Sequence, residues 1–392
     1  MSEIKVNSIK GVGASAAAIT VNNSDGTCSA NLSNRQGKNL IINGAQLIAQ
    51  RGVSSTSSSY QTIDRFAHLG AGWDEAMTQS QVDVAGGTTP YTLGFRKAFR
   101  LTNGNQTSGV QAGDNVLIRY KVEAQDIANS GWNYVSSSSN ITLSFWVKSS
   151  VAQNFYFNFI APDGTSYNYP METGSLSANT WTKVTKTISG NSNLTFNNDN
   201  GVGLQIDWWA FAGTNFTDSG VTLNQWATYS SGTRLPVNTS TWYTTNDATF
   251  EITGVQLEVG SVATDFEHRS FGQELALCQR YFYMHASGAE ASANNQAPIA
   301  TGAMYNSPNW NGVVNFPVKM RTSPSLYKVQ GTGYFIIYGD GGSDTANSVI
   351  LDSSSPQAGT VNLSGGLAQT SGTSHWGLTN NSAARLGFDA EL

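Results

Sequence analysis

Between Thr249 and Tyr283 the hydrophobic period of the chain changes, and that change limits what can lie on either side. From Phe250 to Val259 apolar and polar residues alternate as in a strand. Phe250 and Ile252 share one face, and Val255, Leu257 and Val259 resume it after a one-residue slip at Thr253-Gly254. Without compensation such a slip turns every later side chain to the wrong face, so the pattern predicts a bulge there. The period then lengthens. Ser270 followed three residues later by Gln273 predicts a capping box. Phe271, Leu275, Cys278 and Phe282 recur at i, i+4, i+7 and i+11, one stripe of a short helix. A helix this short is marginal alone in water, so the stripe must pack on its own sandwich or on other copies of the chain. The segment closes a large β module and opens a smaller one.

Strand rows recur on the N-terminal side. Ile141, Leu143, Phe145 and Val147 alternate with Thr142, Ser144, Trp146 and Lys148. Phe155, Phe157 and Phe159 form a second row, ended by the turn Pro162-Asp163-Gly164, and Val116, Ile118, Tyr120 and Val122 a third. Val202, Leu204, Ile206 and Trp208 make a fourth, whose opposite face carries Gln205, Asp207, Trp209 and Phe211. At 392 residues the chain has room for two or three domains. Charged residues are 12% of it, against roughly 25% in an average soluble domain, with Gly, Ser, Thr and Asn in their place. The expected class is all-β: a jelly-roll-like β-sandwich, then a short helix and a smaller distal β domain, with an extended N-terminal arm. Residues 1–38 hold short β-prone pieces, Ile4 to Ile9 and Ala18 to Asn22, too small to bury a core. Beyond the helix a loop is expected from Ala286 to Pro298. Strands are expected at Gly312 to Met320, Ser325 to Val329, Tyr334 to Tyr338, Ser348 to Leu351, Gly359 to Leu363 and Ala384 to Phe388. Pro317 marks the first of these as an edge or a bulge.

Several functions are disfavoured at once. The net charge is −5 and the 21 Lys and Arg residues are scattered, which gives no footprint for nucleic acid. No apolar run reaches membrane-spanning length and no signal-peptide core is read, so neither membrane insertion nor secretion is expected. Cys28 and Cys278 stand far apart and predict neither a disulfide framework nor a metal site; Cys278 reads as a small buried hydrophobe. His68, His268, His285 and His375 are dispersed, and no nucleophile elbow, zinc-protease, phosphate-loop or dinucleotide motif occurs. No catalytic residue is therefore assigned. Asp207, Asp247, Glu251 and Glu258 could supply a structural calcium, although no Asp-x-Asp loop accompanies them.

Aromatic rings set among neutral hydrogen-bonding groups can stack on the C–H face of a pyranose while partnering its hydroxyls. Candidates in the larger module are Trp132, Tyr134, Tyr167, Tyr169, Asp207 with Trp209, and Trp226, Trp242 and Tyr243 in the long loop 213–247. In the distal region they are Tyr305, Trp310, Tyr338, His375 and Trp376. For each ring, core packing competes with binding.

The segment VQLEVGSVATDFEHRSFGQELALCQRYFY resembles the junction found in tail fibre proteins of tailed bacteriophages, marine and cyanobacterial phages especially. NLIINGAQLIAQRG at Asn39 to Gly52 and YQTIDRF at Tyr60 to Phe66 resemble the opening of the same domain in that family, which more often has Met where this chain has Gln46. The resemblance implies an attachment arm at 1–38 docking on a tail adaptor or nozzle protein. It also implies a carbohydrate-binding-module-like sandwich at 39–262, a helical junction at 263–285 and a receptor-binding tip at 286–392. It further implies a homotrimer in the virion, made in the host cytoplasm, that binds host surface polysaccharide or lipopolysaccharide non-covalently, with Phe271, Leu275, Cys278 and Phe282 as interface candidates. A glycan-active enzyme or its accessory module is the alternative, and so is a structural tail spacer. Against depolymerase activity stands the lack of any β-helix period.

Overall fold

A computed structural model describes residues 6–12, 19–21, 24, 28–30, 37–339 and 342–392. In the arm, strands β1 (Ser8–Ile9), β2 (Ile19–Val21) and β3 (Cys28–Ala30) form an antiparallel ladder. Residues 1–5, 13–18, 22–23, 25–27 and 31–36 of the expected attachment arm, Ile4, Ala18 and Asn22 included, lie outside the described residues.

The larger module is built from β4 (Ser54–Ser55), β5 (Phe66–Ala71), β6 (Thr78–Asp83), β7 (Lys97–Thr102), β8 (Asn115–Glu123), β9 (Asn140–Ser149), β10 (Asn154–Ala161), β11 (Tyr167–Ser175), β12 (Thr182–Ser189), β13 (Val202–Ala212), β14 (Ala227–Thr228) and β15 (Thr249–Val259). Two one-turn helices, α1 (Thr89–Thr92) and α2 (Ala124–Ala128), interrupt them. The strands form two six-stranded antiparallel sheets, ordered β14-β11-β10-β13-β8-β5 and β12-β9-β15-β7-β6-β4. The chain passes repeatedly between the sheets, as in a jelly roll. Their inner rows are those the alternation marks: Phe145 of β9 meets Phe157 of β10 edge-on at 5.1 Å and Trp208 of β13 at 5.8 Å. The bulge in β15 falls between Thr253 and Gln256, with Gly254 at φ 60. A Cβ there would also stand 2.7 Å from the Phe95 ring, so both backbone and space demand glycine.

The helix α3 (Phe271–Gln279) starts at Ser270 with the capping box closed in both directions. Its buried residues are Glu274 and Cys278. The Asn43 backbone N–H donates to the Glu274 carboxylate and Arg269 pairs with it at 3.4 Å, and these partners set which helix face turns inward. Phe271 is instead 62% exposed and Leu275 half-buried, whereas Cys278 and Phe282 are spent inside the chain. This corrects the expected stripe: two of its four residues have no surface to offer another copy.

Strands β16 (Phe282–Ser287), β17 (Pro298–Asn306), β18 (Asn309–Asn315), β19 (Ser325–Val329), β20 (Phe335–Gly339), β21 (Gly342–Ala346), β22 (Ser348–Ser354), β23 (Ala358–Ser364), β24 (Ser374–Thr379) and β25 (Arg385–Asp389) follow. They form a three-stranded sheet, β16-β25-β19, and a seven-stranded one, β21-β20-β24-β17-β18-β23-β22. The expected loop at 286–298 stands at 288–297, with β16 running on to Ser287 and β17 starting at Pro298. The strand expected through Pro317 ends at Asn315, since proline has no N–H for the ladder and restricts the residue before it.

One apolar core is drawn from residues between 41 and 257 and a second from residues between 286 and 390. Buried charge joins them. Arg65 pairs with Glu391 and lies 3.4 Å above the Tyr281 ring; Arg51 reaches Asp389 at 2.9 Å and covers the Phe282 ring at 3.6 Å. Arg280 grips Glu123 with two bonds of 2.7 and 2.8 Å, and the Tyr281 hydroxyl donates to the same carboxylate at 2.5 Å. Bidentate and hydrogen-bonded pairs of this kind hold a relative orientation strongly. No helix among the described residues is long and apolar enough to cross a membrane.

Candidate functional site: an aromatic sheet face

Strand β24 reads Ser374-His375-Trp376-Gly377-Leu378-Thr379, and its burial alternates with the pleat: His375, Gly377 and Thr379 face in, Ser374, Trp376 and Leu378 out. Directly opposite residues of antiparallel neighbours share a face, so the register extends this outward row in both directions. Tyr338 of β20 and Thr301 of β17 stand opposite Trp376, and Ser343 of β21 opposite Tyr338. A second row runs Ser374, Ala303, Asn311, Asn362 and Ile350 across β24, β17, β18, β23 and β22. Neither row contains a charged side chain. The indole of Trp376 is 65% exposed, and Tyr305 at the end of β17 is 73% exposed. The Asn362 amide donates to Asn311 Oδ1 at 2.6 Å, and Gln296 Nε2 donates to the Tyr338 hydroxyl at 3.0 Å, fixing both groups from below or beside. Beside Trp376 lies a groove of about 340 Å³ bordered by Pro298, Ile299, Ala300, Thr301, Gly377 and Leu378.

Under this face the Trp310 indole is fully buried in a slot of glycines, with Nε1 donating to the His375 carbonyl at 3.3 Å. A Cβ on Gly302, Gly312 or Gly377 would stand 2.7, 2.4 or 2.6 Å from that indole. Three glycines thus let a flat ring lie against the strands that display Trp376 on their other side.

The other sequence candidates fare differently. Trp132, Tyr169, Trp209, Trp242, Tyr243, Trp310 and His375 are buried and have no ring face to offer a ligand, because each packs in a core or beneath a strand. Asp207 is buried and held by Arg119 at 2.7 and 2.8 Å. Tyr134, Tyr167 and Trp226 are half-buried; Trp226 spends its N–H on the Ser189 carbonyl and meets Tyr169 edge-on at 5.1 Å. Of the candidates, Trp376 and Tyr305 are the exposed rings, and Tyr338, half-buried, stands opposite Trp376 in the register.

The sandwich surface that looks most like a binding face is closed by the chain itself. Residues of the 213–247 loop fold onto the outer side of β13, where Phe216 and Leu235 join Trp209, Leu117 and Ala212 in a small separate core. Arg234 lies 5.2 Å over Phe216 and 5.8 Å over Trp209. Its carbonyl accepts from Asn168, Asn168 Oδ1 from Asn158, and Asn158 Oδ1 from the Trp209 indole, at 2.8, 2.8 and 2.7 Å. The side-chain groups of Asn168, Asn158 and Trp209 are partnered within the chain, and Arg234 Nε is buried among the rings, so the expected loop site is a seal. A nearby notch of about 270 Å³ near Asp218, Thr222 and Gln225 is lined by no aromatic ring.

Of the other carboxylates considered for calcium, Asp247 is exposed and takes one hydrogen bond from Asn246, and the remaining two are spent elsewhere. Glu251 pairs with Arg100 and Lys148 at 2.8 and 2.9 Å, and Glu258 accepts from the Thr264 backbone and hydroxyl at 2.9 and 2.7 Å. Among the described residues no group of three or more His, Cys, Asp and Glu side chains converges to hold a metal.

Thr301, Asn311, Asn362 and Leu378 escaped the sequence reading. For Leu378 the signal is the two-residue alternation of SHWGLT, and Thr301, Asn311 and Asn362 join it only through cross-strand register, which no single stretch of sequence shows.

No protein-family model and no curated protein sequence matches the chain. Among solved structures it is similar to the enzymatically active domain of tailspike protein 4 of bacteriophage CBA120, over 57% of this chain and 21% of that one, at 10% identity and a TM-score of 0.30. It is similar to the CBM22-1-CBM22-2 tandem domain of Paenibacillus barcinonensis Xyn10C over 91% and 98% of the two chains, at 10% identity and a TM-score of 0.26. The N-terminal cellulose-binding domain of Cellulomonas fimi beta-1,4-glucanase C aligns over 54% of this chain and 97% of its own, at 10% identity and a TM-score of 0.25. Likenesses this distant carry no argument about function.

Proposed function

We propose that the protein binds a host cell-surface glycan, without cleaving it, through the outward face of the seven-stranded distal sheet, and that it does so as a tail fibre of a bacteriophage. The observation that carries the binding reading is Trp376. A large indole left two-thirds in water, on a rigid strand between Thr301 and Tyr338 and free of neighbouring charge, suits stacking on a sugar ring. The fibre reading is supported by the long junction resemblance from Gln256 to Tyr283 and by that of Asn39 to Phe66. In this reading the sealed sandwich is a spacer, and the buried ion pairs set the angle at which the distal face is presented.

Non-catalytic binding is part of the same reading. Attachment through residues 1–38 to a tail adaptor or nozzle protein, and a virion location, belong to the same proposal. A homotrimer belongs to it as well, supported by apolar residues left in water at and near α3: Phe271, Leu277 and Val262. Several copies would turn weak sites into useful avidity.

The test is retention of the intact protein on host surface polysaccharide. Wild type is retained and releases no new reducing ends, and Trp376→Ala loses at least tenfold of its binding. Equal retention of the variant would overturn the site; liberated saccharide would overturn the non-catalytic reading.

A further inference from the structure

Resting on that sugar-binding reading, we infer that the groove beside Trp376 takes a sugar bearing a methyl group, carried as a 6-deoxy carbon or an acetyl substituent, in preference to the fully hydroxylated parent. The lining chemistry carries this. Pro298, Ala300 and Leu378 are apolar, Trp376 offers a ring, and Thr301 supplies the single side-chain hydroxyl. No charged side chain borders the groove, which disfavours an acidic sugar or a phosphate.

Backbone groups add little. Strand β24 is paired on both sides, by β17 and β20, so its peptide groups point into ladders. Pro298 has no N–H. Next in the chain, the Ala297 N–H donates to Thr379 Oγ1 at 2.8 Å and the Thr379 N–H to the Ala297 carbonyl at 3.0 Å, and the Ile299 carbonyl accepts from His285 Nε2 at 2.6 Å. Away from the Thr301 hydroxyl, a sugar hydroxyl pushed against Pro298, Ala300 and Leu378 therefore loses its water without gaining a side-chain partner, whereas a methyl gains contact. At about 340 Å³ the space lies at the small end of the roughly 300–1,000 Å³ typical of ligand pockets, and it suits one ring better than a chain of them.

The experiment titrates the intact protein with matched methyl pyranosides, read by ligand-detected NMR and by Trp fluorescence. The pairs are an L-fucoside against an L-galactoside, an L-rhamnoside against an L-mannoside, and N-acetyl- and O-acetyl-hexosides against their parents. The deoxy or the acetyl member is expected to bind about tenfold more tightly than its parent, and the two arms show which source supplies the methyl. Trp376 is exposed, so Trp376→Ala spares the core and should abolish the response, while Leu378→Asn should erase the preference and keep the binding. Parents that bind as well as their deoxy and acetyl partners would overturn this inference and leave the sugar reading standing. Absence of any response to all pyranosides would overturn both.

Discussion

Replacing Gly377 with alanine tests the support beneath the proposed face. The new Cβ would lie 2.6 Å from Trp310 Cη2 and 3.0 Å from both Cζ2 and Cζ3, where ordinary contact begins at 3.4 Å. Something must move by most of an ångström, and the indole cannot retreat easily: it is fully buried, with Gly302 and Gly312 equally tight against it. Overpacking of this kind costs about 1–3 kcal/mol. In a unit of this size that corresponds to a melting shift of roughly 4–8 °C per kcal/mol. Trp310→Phe removes the ring atoms that clash but leaves a cavity, and it also forfeits the Nε1 bond to the His375 carbonyl, so alone it destabilises too. In the double variant the alanine methyl fills part of that cavity. The two costs should then fall short of additivity by about 1–2 kcal/mol, the coupling expected of residues in contact. Urea unfolding of wild type, both singles and the double gives that term directly. Additive costs would mean that Trp310 does not rest on Gly377, and the argument for a rigid platform under Trp376 would fail.

Arg65→Ala should strip the buried Glu391 of its nearer partner, leaving only Arg51 at 3.6 Å, at a cost of up to about 3–5 kcal/mol, and should split thermal unfolding into two transitions as the modules uncouple; a single sharp transition would contradict the buried-charge account of the junction. Burial lifts the Asp64 carboxyl from 3.8 to about 6, so the folded state holds that proton longer, and the stability it lends below pH 4 is lost as pH rises through 6. Burial lowers His68 from 6.5 to about 4, so the unfolded state takes that proton first, and its contribution, full above pH 6.5, is lost as pH falls through 4. The two oppose each other, and Asp64→Asn should therefore convert a shallow stability profile between pH 4 and 6.5 into one that falls steadily with acid; an unchanged profile in denaturant midpoints would refute this. Phe271→Asp, at an exposed helix position, should leave the protomer folded while shifting an assembled species toward monomer in sedimentation, and an unaltered assembly would remove α3 from the interface.

Features fixed by short-range physics are legible in the sequence. The β15 bulge and the Ser270 capping box depend on neighbours a few residues away, and both stand where the sequence placed them. The sandwich rows were legible because two-residue alternation with large apolar side chains has no competing reading. The distal strands β17, β21 and β24 were not, since Gly, Ala, Thr and Ser carry no hydrophobic period. Ring burial was equally hidden. Trp208 and Trp209 necessarily face opposite ways, but only the return of Phe216, Arg234 and Leu235 onto the outer face decides that Trp209 is also enclosed. Likewise nothing local says that α3 buries Glu274 rather than Leu275; Asn43 and Arg269, distant or out of phase with the stripe, decide it.

The most direct measurement follows the indole N–H resonances of the assembled protein while host polysaccharide is added. Stacking on the distal face requires the Trp376 signal to shift and those of the enclosed Trp132, Trp209, Trp242 and Trp310 to stay in place. A shift confined to the sandwich indoles, with Trp376 unmoved, would contradict the assignment of binding to this face.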